Sequence, residues 1–508
     1  MKPHEFRTAA PSSLSQGGQA SAVTERHRII VVGTGFSGLC MGVKLLEAGE
    51  DDFILLERAD EVGGTWRDNH YPGCACDVES HLYSFSFAPN PEWTRLYAPQ
   101  PEIFAYLRGV ADQYRLRPHI RFQANLVGAR YDEARQLWVV RAEDGRVFES
   151  QILVSGMGGL SNPAVPDLPG LTHFEGTTFH SANWNHDYDL TDKRVAVVGS
   201  GASAIQFVPA IAPQVGELLY FQRTPPWVVP KLDRPVAPRE RADFAANPWR
   251  QRLARLKLYW TLEARFLAFK YKPEWMGLVA KVARHKIAQN IKDPALRAKL
   301  TPDYTPGCKR LLISNAYYPA LARTNVQVIT EGIREVTASG IVTKDGQTHA
   351  VDAIIFGTGF KVQDPIPPGV VFGKGGRDLA DVWRAGPEAY LGITVSGFPN
   401  FFMLMGPNTG LGHNSMVFMI ESQVRYVMGA LQTMTEQGIR TLDVKPQAQA
   451  RFVEGVQRAL QQTVWSSGCK SWYLNEQGRN TAAWPGFTFV YRLKTRRFNL
   501  RSYQAERA

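Results

Sequence analysis

Two short stretches dominated by Ile and Val stand out along the chain, Arg28-Ile-Ile-Val-Val32 and Arg194-Val-Ala-Val-Val198. Continuous apolar runs of this length suit parallel strands that are covered on both faces. Each runs straight into small residues: Gly33-Thr-Gly35-Phe-Ser-Gly38 after the first, Gly199-Ser-Gly201-Ala-Ser-Ala204 after the second. After Gly38, apolar positions recur at helical spacing through Leu39, Val43, Leu45 and Leu46, and a further strand is predicted at Phe53-Ile-Leu-Leu56. The second turn is likewise followed by Leu218-Leu-Tyr-Phe221. Strand, glycine turn, helix and strand form a βαβ unit, and the chain carries it twice. A different pattern fills Arg250 to Ile291, where Leu253, Leu256, Leu258, Leu262 and Phe266, then Leu278, Val282 and Ile287, fall at helical spacing. This segment is predicted to be a helical insertion whose apolar residues pack in a core or between domains. A basic amphipathic helix lying on a membrane surface is the other reading. Residues 1–27, rich in Ser, Gly, Gln and Ala without an apolar leader segment, are expected to be a flexible tail and not a secretory signal.

Composition narrows the class. The 508 residues are enough for roughly three folding units. Hydrophobic residues at 44% and charged residues at 21% exclude a largely disordered chain, a collagen and a coiled-coil rod. No apolar run is long enough to span a bilayer, so no integral membrane association is expected. The formal net charge is +11, much of it in Arg250 to Arg297 and in a tail holding Lys494, Arg496, Arg497, Arg501 and Arg507. It reads as solvated faces plus a site for phosphates, and no zinc-finger spacing or arginine-rich repeat supports nucleic acid. The five cysteines (Cys40, Cys74, Cys76, Cys308, Cys469) are scattered and odd in number, which fits a reducing compartment. They read as structural bystanders; Cys74 and Cys76 have no second pair to complete a metal site, so no metal is expected. A cytoplasmic location follows from the same features.

The two turns carry chemistry. Gly33 permits a tight turn, Gly35 lets backbone approach a pyrophosphate, and Gly38 lets helix pack on strand, while the helix N-terminus offers free amides to phosphate. The strand after the first turn ends at Glu57, where an acid can hold a ribose 2′-hydroxyl. The strand after the second ends in Gln222-Arg223-Thr224 with no acid. Arginine there pairs with a 2′-phosphate that an acid would repel, so the second site should prefer NADP over NAD. A plain surface arginine is the alternative for Arg223. Two such sites in one chain make a pair: FAD, and NADPH to reduce it.

Between the two turns lies Phe174-Glu-Gly176-Thr-Thr-Phe-His180-Ser-Ala-Asn-Trp184, and upstream Gly63-Gly64-Thr65-Trp66, Tyr71-Pro72-Gly73 and Asp77. Here the sequence resembles the type I Baeyer–Villiger monooxygenases, matching FxGxxxHxxxW and [AG]GxWxxxx[FY]P[GM]xxxD, with Asn185 departing at the position after the first. Related N- and S-oxygenating flavin monooxygenases usually carry Tyr or Phe where Trp184 stands. The resemblance covers about Arg28 to Tyr491. It implies an α/β fold of two Rossmann-like dinucleotide-binding domains, the NADP domain inserted in the FAD domain, plus the helical insertion. The implied division is 28–165 with 361–508 for FAD, 166–235 with 301–360 for NADP and 236–300 for the insertion. The chain would return between domains at Asp352 to Phe360, which resembles the family's DxxxxATGF/Y element.

The same resemblance implies the site. Arg310, in Pro306-Gly-Cys-Lys309-Arg310, becomes the cation that stabilises a C4a-peroxyflavin and the adduct it forms with a ketone, and Lys309 a ligand of the NADP 2′-phosphate. Arginine suits that task because it stays charged when partly desolvated. Asp77 orients Arg310 and borders the flavin; a helix N-cap is its alternative, and a solvated basic pair is that of Lys309 and Arg310. Gly64, Thr65, Trp66, Tyr83 and Met416 would line FAD, and Trp472 would lie near the nicotinamide. Phe174, Gly176, His180 and Trp184 form the domain-linking fingerprint, with His180 read as a structural or dynamic element ahead of direct catalysis. The implied activity is NADPH- and O2-dependent conversion of ketones to esters or lactones, the alternative being N- or S-oxygenation. Leu474 to Gly478 depart from the cyclohexanone-oxidising members, which turns the substrate expectation toward linear aliphatic ketones. A flavin disulfide reductase would need a closely spaced redox cysteine pair, which the sequence lacks.

Overall fold

The computed structural model describes residues 24–160, 162–362, 366–469 and 471–507. The first apolar run belongs to the strand Thr24–Val32, which begins four residues earlier than the pattern suggests. Residues 24–27 are therefore strand and not tail, while residues 1–23 lie outside the described residues. The extension is polar because it is paired at an exposed end of the sheet. Arg26 donates to Glu149 at 2.9 Å and the His27 ring meets Asp52 at 3.0 Å.

Thr24–Val32 pairs in parallel with Phe53–Leu56 on one side and with Val147–Ser155 on the other. Leu126–Asp132 and Leu137–Ala142 continue that sheet as an antiparallel meander, and Phe401–Met403 joins Val147–Ser155 from the far end of the chain. A second, wholly parallel sheet of five strands runs in the order Val326–Ile329, Glu217–Phe221, Arg194–Val198, Ala353–Phe356, Thr177–His180. The central strands are buried along most or all of their length, which is why they read as apolar runs.

The two turns are built alike. Gly33 N donates to Leu56 O and Gly199 N to Phe221 O, while Gly156 N and Gly357 N donate to Val32 O and Val198 O. At φ +93° and +111°, Gly33 and Gly199 sit where an L side chain is strained, and a Cβ on either would strike the facing glycine carbonyl. The chain passes between the sheets twice, and the two passages touch: Ala164 N donates to Gly359 O, and Thr358 Oγ1 donates to Ala164 O at 2.5 Å.

The insertion consists of the helices Pro238–Ala246, Pro248–Lys270, Met276–Asn290 and Pro294–Leu300. Its apolar residues divide. Leu262, Phe266 and Ile287 are buried, but Leu253, Leu256, Leu278 and Val282 are 58, 51, 60 and 49% exposed, which corrects the expectation that all of them pack inward. Tyr259 and Phe269 complete the covered face of Pro248–Lys270.

A second correction concerns the cysteines. Cys308 and Cys469, 161 residues apart in sequence, form a disulfide with a Cα–Cα distance of 6.2 Å. The fold brings their loops together: a Cβ on Gly307 would meet Val464 Cγ2 at 3.2 Å. No local spacing rule reports such a pair. Cys40, Cys74 and Cys76 are free and buried, and burial pushes the Cys74 thiol up to about 12. Among the described residues no helix is long and apolar enough to cross a membrane, and no cluster of three or more metal-ligating side chains occurs.

Candidate active site

A cavity of about 980 Å3 opens at the carboxyl ends of strands from both sheets, its wall including Ser155, Val198, Phe221 and Met403. Ligands in open α/β folds bind at such ends. Arg310 and Asp77 line it together. Arg310 donates to Asp77 Oδ2 from Nε at 3.1 Å and from Nη2 at 2.5 Å. Each side chain keeps 33% of its surface open. Asp77 thus pairs with Arg310 and caps no helix. Its charge raises the Arg310 pKa further above the ordinary arginine value, against the opposing effect of burial. Burial disfavours the Asp77 carboxylate, but the Arg310 charge and hydrogen bond, with help from Lys231, hold its pKa below the usual range. The result is a permanent cation, held in one orientation, on the wall of a partly dry cavity.

Beside it lies a recess of about 360 Å3 lined by Arg223, Lys309, Ser471 and Trp472. Burial lowers the Lys309 pKa, and the Arg223 charge lowers it further. The two cations repel each other, and Asp303 offsets part of that effect. Ser471 Oγ is buried there without a hydrogen-bond partner among the described residues, so a hydroxyl is also available to a phosphate. These residues fit the 2′-phosphate of NADP. Gly199, Gly201 and Thr224 line the main cavity above, and Ala204 opens the helix Ala204–Ile211 just behind them.

The flavin-side expectations fall in the same wall: Thr65, Trp66, Tyr83 and Met416 all line it. Thr65 and Trp66 belong to the single-turn helix Thr65–Asp68, and Trp66 Nε1 donates to Tyr83 Oη at 3.1 Å. Met416 begins the helix Met416–Gln437, capped by Ser415. Gly64 sits behind the wall at φ +51°, where a Cβ would approach Gly35 Cα to 3.0 Å; the phosphate turn and the Gly63-Gly64 turn touch through bare backbone. Gly33, Gly35, Gly38 and Glu57 are not in the cavity wall. Glu57 is buried and accepts from Thr34 N at 3.1 Å, Thr34 Oγ1 at 2.5 Å, Ala59 N at 3.0 Å and Arg67 Nη1 at 2.8 Å. The glycine turns, where a Cβ on Gly33 or Gly38 would strike backbone, fit the backbone cradle that FAD requires.

The fingerprint residues stand apart from the cavity. Trp184 is buried against Phe179 and Phe207, at ring-centroid distances of 5.1 and 5.3 Å. Phe174 packs on the core beneath the second sheet, and a Cβ on Gly176 would strike Asp352 O and the Phe174 ring. His180 Nδ1 accepts from Ala182 N at 3.1 Å, and its ring meets Phe360 at 5.8 Å. Burial pushes His180 down to about 4, against a smaller pull from the Gly359 backbone. It is neutral near pH 7 and seated where the chain passes between the sheets.

Several site residues were not foreseen. Tyr473 is buried beside Arg310, whose charge and hydrogen bond oppose the rise that burial gives its phenol. Lys231 reaches toward Asp77 and lies 4.9 Å from the centre of the Tyr97 ring. Glu263, buried on the insertion, accepts from Asn414 Nδ2 at 2.6 Å and from Thr488 N and Oγ1 at 2.9 and 2.7 Å. It ties the insertion to a residue of the cavity wall, since Asn414 lines the cavity. For these the sequence offered only Trp472, the neighbour of Tyr473.

A profile of the family described as "Flavin-binding monooxygenase-like" matches residues 26–368. A Baeyer-Villiger monooxygenase of Pseudomonas aeruginosa is 55% identical over 494 residues, covering 97% of this chain and 94% of the relative. Among solved structures, a closed crystal structure of cyclohexanone monooxygenase superimposes with a TM-score of 0.85 at 30% identity, covering 96% of this chain and all of the other. An oxidised steroid monooxygenase bound to NADP gives 0.82 at 32% identity, with 95% and 100% coverage.

Proposed function

Because the chain belongs to the Baeyer–Villiger monooxygenases of the flavin-binding monooxygenase-like family, we propose that it converts ketones, linear aliphatic ones by preference, to esters or lactones with NADPH and O2. FAD and NADP(H) are its cofactors. Bound FAD would supply the redox chemistry that links NADPH to O2, one of whose atoms would be inserted beside the carbonyl. The chain's own residues do the rest. The glycine turns would hold the pyrophosphates, and Arg223, Lys309 and Ser471 the 2′-phosphate.

The observation that carries the reading is the Arg310–Asp77 pair on the cavity wall. Negative charge develops beside the ketone carbonyl as oxygen is delivered to it. A fixed guanidinium stabilises that charge without having to reorganise, and it cannot give up its proton. Asp77 orients Arg310, Tyr473 packs beside it, and Trp472 lines the same cavity. The departures at Leu474 to Gly478 support the linear preference, and the demand for NADPH fits a cytoplasmic setting.

The test is product analysis after incubating the FAD-loaded protein with NADPH, labelled O2, 2-decanone and a thioether. Ester carrying one labelled oxygen is expected. Sulfoxide without ester from a panel of ketones would overturn the reading in favour of heteroatom oxygenation.

A further inference from the structure

Trp249, Leu253, Leu256 and Trp260 are 59, 58, 51 and 52% exposed on the helix Pro248–Lys270. Spaced four, three and four residues apart, they form one stripe about 16 Å long on a 3.6-residue helix. The opposite face, through Tyr259, Leu262, Phe266 and Phe269, already anchors the helix in the protein. Among the described residues the exposed stripe is thus a second apolar face left uncovered. It does not end with its own helix. Trp260 touches Phe489, ring centres 5.8 Å apart, on the helix Thr488–Lys494, where Leu493 one turn later is 63% exposed. Large apolar side chains clustered this way on a surface mark a binding face.

Its own segments carry charge of nearly one sign. Residues 248–270 and 488–497 hold ten Lys and Arg and one carboxylate, Glu263, which is buried and internally bonded. Helical geometry puts Arg252 on one side of the stripe and Arg250 and Lys257 on the other. The preceding helix, Pro238–Ala246, balances two arginines with Glu240 and Asp243 and does not offset this excess; Asp243 accepts from Arg250 at 2.6 Å.

We propose that this face docks on the surface of an anionic phospholipid bilayer. Tryptophans at the ends of an apolar stripe, with basic residues along both edges, match the level where headgroups meet acyl chains. The helix lies on the surface and does not insert across it. A second copy is a poor occupant, because it would bring two strongly basic faces together. The inference does not rest on the reaction proposed above, since binding is read without turnover.

The test uses the FAD-loaded full-length protein, sedimented with vesicles of phosphatidylcholine alone or mixed equally with phosphatidylglycerol, at low salt. Binding is expected to the mixed vesicles, with far less to the neutral ones, and added salt should weaken it. The pair Leu253→Gln/Leu256→Gln and the pair Arg252→Glu/Lys257→Glu should each reduce partitioning at least about tenfold. Flavin absorbance and Tm should stay unchanged, because all four side chains lie outside the core. No binding to the mixed vesicles, or binding that neither variant weakens, overturns the proposal. So does a dimer in sedimentation equilibrium that Leu253→Gln/Leu256→Gln dissociates, which would assign the face to a second copy.

Discussion

Replacing Arg223 and Lys309 singly and together tests the cofactor reading most directly. The two side chains share a small recess with Ser471 Oγ and Trp472. A hydrogen bond between charged groups contributes about 1.5–3 kcal/mol, so losing either cation should cost NADPH roughly 10- to 150-fold in kcat/KM. The lower end applies to Arg223→Ala. Arg223 is exposed, and removing it takes away a like charge that disfavours the charged form of Lys309. The second substitution should therefore cost more than the first, and the double variant should lose more than the two single effects combined. NADH has no 2′-phosphate, so its kcat/KM should move less than about twofold in all three variants. Steady-state kinetics with both cofactors reads the ratio. Equal losses with NADPH and NADH would mean that the recess holds some other part of the cofactor. No loss with either would remove these residues from the site.

Arg310→Ala should still allow NADPH to reduce the flavin but lower ester formation by at least about 10²–10³-fold, with NADPH consumption diverted to hydrogen peroxide; stopped-flow absorbance and product analysis separate the two steps. Cys469→Ser frees the segment bearing Trp472 and Tyr473 from the loop of Lys309 and Arg310. It should raise the KM for NADPH and destabilise the fold by up to about 5 kcal/mol on the chain-entropy argument, read as KM and as the denaturant midpoint. His81 and His180 are both buried and pushed down from 6.5 to about 4 by burial, so the unfolded chain binds protons that the folded one refuses. Their contribution is complete above pH 6.5 and is lost as pH falls toward 4, about 4 kcal/mol for the pair at pH 5. Denaturant titrations at pH 7 and pH 5 should show that loss, and His81→Asn should reduce it.

The sequence exposed the fold where one short stretch carries the whole reason for a structure. An apolar run, a glycine that must adopt positive φ and an apolar helix stripe lie within about twenty residues of one another, so both βαβ units could be read directly. The Arg310–Asp77 pair joins positions 233 residues apart. Only the resemblance of two motifs linked them, because nothing in either segment specifies the other. Where no motif existed, the link was invisible. Lys231 near Asp77, Tyr473 beside Arg310, Glu263 bonded to Asn414 and Cys308 joined to Cys469 all depend on side chains that the tertiary fold alone brings together.

The insertion shows a different kind of limit. A 3.6-residue period establishes that a helix has an apolar face and says nothing about whether that face is covered. Pro248–Lys270 has two such faces, and apolar spacing alone gave both the same reading. What separates them is the company each keeps. The covered face carries Gln251 and Glu263, polar groups that are buried because they have partners: Gln251 donates to Asn90 O at 2.7 Å, and Glu263 accepts from Thr488. The open face is bordered by Arg252 and Lys257, long cationic side chains that remain hydrated and would resist burial against protein of the same sign, and by Arg250, which Asp243 pairs. Partnered polar residues beside an apolar stripe therefore point inward, and unneutralised cations beside it point toward an anionic surface. That distinction, more than the hydrophobic count, is what the charges in this segment record.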